Sequence, residues 1–213
     1  LHQSNVTGCH ISYCDQGGVV SRQGNVRNIH ISGCDLESNM SPDESPTANV
    51  LIDCRDSTFG TAEVAISGCT IQHNHAAAGS ANIRIIGRSD RDQGDAVSRE
   101  GMITITGNVL SDVSCNIHLR DCRGVAVTGN TAWRAYSHSL LVEDCSNVVV
   151  GPNTFGRRSP HLKRAGANEA NNAVVVTGCD DCTFSGMHIT HVRRSPAGFV
   201  VRDSSRLNIN GCT

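Results

Sequence analysis

Residues 116–155, NIHLRDCRGVAVTGNTAWRAYSHSLLVEDCSNVVVGPNTF, fall on themselves when shifted by 23 positions. Ile117 lands on Leu140, Leu119 on Val142, Asp121 and Cys122 on Asp144 and Cys145, Val125 on Val148, Val127 on Val150, and Asn130 on Asn153. A fixed period of this length marks a repeat architecture, in which each unit buries its apolar face only against its neighbours.

Two short motifs alternate along the rest of the chain. One reads apolar-x-apolar-x-Gly-(Cys/Asn)-x-apolar, as in IHISGCDL (29–36), VAISGCTI (64–71), ITITGNVL (103–110) and VAVTGNTA (125–132). The other is an apolar run often closed by Asp-Cys, as in NVLIDC (49–54), NIHLRDC (116–122) and SLLVEDC (139–145). Both alternate with period 2 and are rich in β-branched residues, the pattern of strands with one buried face. No stretch holds a helical period, so helix content near zero is expected. A leucine-rich repeat shares the period, but its return path needs a helix or 3₁₀ segment. Here the return path, such as HSLLVEDC, is another β-type run.

The V-x-I-x-G-(N/C)-x-I unit resembles the right-handed parallel β-helix repeat proteins of the pectate-lyase-like superfamily over essentially the whole chain. Asn108, Asn130 and Asn153 match that family's internal asparagine ladder. The resemblance implies an all-β fold: a single-stranded right-handed parallel β-helix, a solenoid of about seven to eight coils. No linker interrupts the pattern, so residues 1–213 read as one domain. The chain starts almost inside a repeat at Leu1, which suggests part of a longer or trimmed protein. Coil ends that stop in mid-pattern expose strand edges, which lost caps or end-to-end and side contacts with a partner would cover.

A net charge of −2 supplies no general attraction to nucleic acid or anionic membrane. No apolar run approaches the roughly 18 residues of a membrane span. No signal peptide is visible, but the resemblance implies a secreted, periplasmic or cell-surface location. Eleven cysteines are an odd number for a disulfide framework. Cys9, Cys34, Cys69 and Cys212 recur after Gly at one point of the repeat, and Cys54, Cys122, Cys145 and Cys179 at another. That register points to a stacked ladder of buried thiols, although coils about 4.8 Å apart also fall within disulfide reach. Cys179-Asp-Asp-Cys182 has no second C-x-x-C to complete a zinc site.

Function is less legible. Insertions at 38–48, 55–63, 73–80, 88–101 and 156–172 would emerge as loops. Just after the Gly-Asn corner, register aligns Gln72-His73, Ser111-Asp112, Trp133-Arg134, Gly156-Arg157 and Thr190-His191. Aromatic faces stack on sugar rings and guanidinium forks pair with carboxylates or sulfates. Trp133, Arg134, Tyr136, Arg157, Arg158, His188 and Arg193 are therefore candidates for binding an anionic polysaccharide, or they form a solvated charged edge. A second strip gathers His118, Arg120, Glu143, Asp144, Arg202 and Asp203, with Asp53 and Asp121 in line. Asx turns account for its aspartates.

The resemblance implies lyase, hydrolase or epimerase chemistry for many relatives. A hydrolase would need two carboxylates, for which Asp112 and Glu143 are the candidates. A lyase would need a base such as His191 or Arg134 beside a carboxylate neutralised by Arg. The alternative is a non-catalytic β-helix module that binds glycans or a protein partner. No cofactor is expected. A calcium site would need several carboxylates on one face, whereas the register supplies mostly one per coil.

Overall fold

The computed structural model describes residues 2–41, 47–58, 62–73, 77–90, 97–156, 171, 173–190, 192 and 197–213. Among them there is no helix, and the strands stack in parallel as successive coils. The first wall takes one strand from each coil: β1 (His2–Thr7), β4 (Arg27–Ser32), β7 (Val64–Ser67), β10 (Gly101–Thr106), β12 (Arg123–Thr128), β14 (Ser146–Val150), β17 (Thr183–Ser185) and β20 (Asn208–Asn210). The second wall contains β2 (His10–Ser12), β5 (Asp35–Glu37), β8 (Thr70–Gln72), β15 (Thr154–Gly156) and β18 (His188–Ile189). The third contains β3 (Val19–Arg22), β6 (Ala48–Asp53), β9 (Ala81–Ile86), β16 (Ala173–Thr177) and β19 (Phe199–Arg202). Two long strands, β11 (Val109–Arg120) and β13 (Thr131–Glu143), run through both of these walls. The architecture is the parallel β-helix that the repeat predicts.

Strand alternation decides what is buried. In β10, Ile103 and Ile105 point into the solenoid while Met102 and Thr104 face out. Their equivalents Val125 and Val127, then Val148 and Val150, continue the same interior columns. Each such side chain taken fully from water contributes about 1.5–3 kcal/mol. Corners are made by residues in the left-handed region. Gly107 and Gly129 turn the chain out of the first wall at φ 65° and 69°. The corner between the second and third walls uses His73, Asp112 and Arg134 at φ 54°, 58° and 49°. The corner after the third wall uses Asp121 and Asp144 at φ 51° and 53°, and short polar side chains tolerate that conformation best after glycine.

Buried amide columns line these corners. The backbone N–H groups of Cys69, Asn108 and Asn130 donate to the Oδ1 atoms of Asn108, Asn130 and Asn153 at 3.0, 3.0 and 2.9 Å. Cys34 extends the column, its N–H reaching the Cys69 sulfur at 3.5 Å. The sequence reading missed a second column. Asn39, Asn49, Asn82 and Asn116 are joined Nδ2 to Oδ1 at 3.1, 2.9 and 2.8 Å. Its signal was the Asn that opens NVLIDC, NIRIIG and NIHLRDC. A third column holds thiols, with the Cys122 N–H on the Cys145 sulfur at 3.3 Å. All eleven cysteines are thiols and eight of them are buried.

Candidate functional site

The outward face of the third wall carries two side-chain rows. Strand register aligns Val20, Leu51, Arg84, His118 and Leu141 in one, and Arg22, Asp53, Ile86, Arg120 and Glu143 in the other. Between them lies a cleft of about 870 Å³, lined chiefly by Arg22, Asp53, Arg55, Arg84, His118 and Arg120. With Asp56 also on its wall, four guanidinium groups face two carboxylates. Asp53 and Arg55 spend their charges on one another, through contacts of 3.0 and 2.6 Å. That leaves Arg22, Arg84 and Arg120 against Asp56 on the cleft wall, with Arg120 Nε 3.8 Å from Asp121 Oδ2.

Arg84 forms its floor and is almost wholly buried. The loops entering β6 and β9 supply two of its partners: Nη1 donates to the Thr47 carbonyl at 2.8 Å and Nη2 to the Gly79 carbonyl at 2.6 Å. Its Nε–H donates to Nδ1 of His118 at 3.0 Å. Guanidinium nitrogens only donate, so His118 Nδ1 must carry a lone pair. The proton of the neutral ring therefore sits on Nε2, which donates to Glu143 Oε2 at 2.8 Å. Burial, and then the charge of Arg84, hold the His118 pKa below the ordinary histidine value.

The predicted strip lies at the corner between the second and third walls. Register aligns Gln72, Ser111, Trp133 and Gly156 as expected. Arg134 turns onto the buried Asp112, Nη1 to Oδ1 at 3.0 Å. His73 lies between Glu37, at 3.1 Å, and Asp112, at 3.9 Å. Glu37, His73, Asp112 and Arg134 thus form a connected line of polar side chains across successive coils. Trp133 and Tyr136 are half-buried, and His188 is exposed with its Nδ1 2.9 Å from Thr213 Oγ1. Asp112 is brought to Arg134, whereas Glu143 ends β13 on the third wall beside His118. His191, Arg157, Arg158 and Arg193 lie outside the described residues.

The second strip read from the sequence contained His118, Arg120, Glu143 and Asp53 but not Arg22, Arg55 or Arg84. Arg84 occupies the position of His118 one coil earlier, so aligning NIRIIG with NIHLRDC would have found it.

No curated protein matches the chain. Residues 36–211 match a family model described as periplasmic copper-binding protein (NosD). That description agrees with the expected secreted or periplasmic location and suggests copper as a ligand. Copper sites are built from thiolates, thioethers or free imidazole nitrogens. Among the described residues, no three His, Cys, Asp or Glu side chains come together to hold a metal. Cys122 and Cys145 donate their thiols to the carbonyls of Arg120 and Glu143, each at 3.1 Å. Burial pushes the Cys54 and Cys115 thiols up to about 12, and a hydrogen bond with Cys145 pushes Cys179 up to about 11. Ligation requires the deprotonated sulfur, so these buried, hydrogen-bonded thiols do not fit a copper ion. The family model nevertheless spans most of the repeats described above, and the chain belongs to the NosD family of right-handed parallel β-helix proteins.

Proposed function

We propose that this chain is a non-catalytic binding module that holds a segment of acidic polysaccharide in the third-wall cleft. The observation that carries the reading is the excess of guanidinium over carboxylate in one concave site. Arg22, Arg84 and Arg120 come from separate coils. With coils about 4.8 Å apart, that spreads the positive charge over roughly 14 Å, the reach of an oligomer rather than of a single small anion. Guanidinium forks pair bidentately with carboxylates and sulfates. The carboxylates near the cleft each have a partner: Asp53 in Arg55, Asp56 in the Gln23 amide and Glu143 in His118. This arrangement suits retention better than acid–base cleavage, which needs a free pair.

Binding to a panel of neutral, uronate-containing and sulfated polysaccharides, followed by product analysis, tests this reading. Retention of the acidic members alone, with salt-dependent affinity and no shortened products, is the expected result. Equal retention of neutral polysaccharides would contradict it, and new reducing or unsaturated ends would replace it with an enzyme.

A further inference from the structure

We propose that His118 is a proton-operated control on the cleft, its protonation releasing Arg84 to the bound anion; this rests on the anion-binding reading above. The geometry allows the Arg84–His118 contact in only one charge state. At 3.0 Å, Nδ1 of His118 accepts the Arg84 Nε–H. A protonated imidazole has N–H groups on both nitrogens, so this contact becomes donor against donor and cation against cation. Glu143 on the opposite side, 2.8 Å from Nε2, would retain the imidazolium as an ion pair. Protonation therefore removes one of Arg84's three anchors without removing the restraint on His118.

The surroundings leave few other groups to absorb that charge. From β9 the ring faces Arg84, from β13 it faces Glu143, and Arg120 lies two residues along its own strand. His138 stands near Glu143, and the Cys115 thiol near Arg84 is held neutral by burial. Leu51, Ala48, Ala81 and Leu141 complete an apolar patch around them. The cleft thus gains a positive charge and a freer guanidinium together. By linkage, an anion that binds more tightly to the protonated form also raises the pKa of His118.

The test is the affinity of a sulfated oligosaccharide, whose own charge is constant, measured by calorimetry between about pH 7.5 and 5. The wild-type chain is compared with His118→Gln, whose amide does not titrate and can still donate to Glu143. Circular dichroism confirms that the variant is folded. Affinity is expected to rise about tenfold on acidification of the wild-type chain, corresponding to a coupling of about one pK unit. It should rise less in the variant, which leaves only the contribution of the other histidines. Binding that follows pH equally in both chains overturns the control while leaving the anion-binding reading intact. Absence of binding at every pH overturns both.

Discussion

The Oδ1 atom of Asn130 accepts two hydrogen bonds from Asn108, one from its backbone N–H and one from its side-chain Nδ2, each at 3.0 Å. Asn130 in turn donates to the Ile105 carbonyl at 3.0 Å, in the coil before. Replacing it with Ala strands a buried donor and a buried acceptor together, at about 1–3 kcal/mol each. Asn130→Ala is expected to lower unfolding stability by about 2–6 kcal/mol, measured by urea denaturation. Asn130→Cys should cost less, because Cys34 and Cys69 already occupy rungs of the same column.

The thiol columns make a separate prediction. Cys9 and Cys14 are exposed, Cys212 is intermediate and the other eight cysteines are buried. A thiol-specific reagent should label Cys9 and Cys14 rapidly in the folded chain, and the ladder thiols only in denaturant. Titration with Cu(I) against a competing chelator should leave the reactivity of Cys122, Cys145 and Cys179 unchanged. Copper-dependent protection of those three, mapped by peptide mass, would show that the column opens to ligate metal.

Removing Arg134 leaves the buried Asp112, among the described residues, with only His73 at 3.9 Å as an ion-pair partner. Breaking a buried pair from one side costs about 3–5 kcal/mol. Arg134→Ala is therefore expected to lower the melting temperature markedly while leaving acidic-polysaccharide affinity unchanged. A large fall in affinity without loss of stability would move the binding site to the corner strip.

Acid should weaken the fold. Burial lowers the pKa values of both His118 and His138 below the ordinary histidine value of 6.5. The unfolded chain then binds protons that the folded chain resists, so stability is full above about pH 6.5 and declines as pH falls through and below it. Melting curves between about pH 8 and 5 check the direction, and His118→Gln should flatten part of the slope.

The coil was legible because its determinants are local and repeated. Alternating Val and Ile columns, Gly at the first corner and Asn108, Asn130 and Asn153 all recur in register, so one aligned pair of repeats exposes them. The cleft was only half legible. His118, Arg120 and Glu143 lie in adjacent coils that match at 23 residues, whereas Arg22, Asp53 and Arg84 are separated by the long insertions that break the period. The corner strip was aligned correctly, but sequence could not show that Asp112 and Arg134 would neutralise one another. That outcome depends on the side-chain directions at two left-handed residues.

The most direct measurement is calorimetric titration of an oligogalacturonate into three forms of the chain: wild type, Arg22→Gln/Arg120→Gln and Trp133→Ala. Each charge-assisted bond to the ligand contributes about 1.5–3 kcal/mol. The double cleft variant should therefore lose at least about tenfold in affinity, and with it much of the salt dependence. Trp133→Ala should bind as the wild-type chain does. Undiminished binding by the double variant, with loss of binding in Trp133→Ala, would contradict the cleft as the binding site.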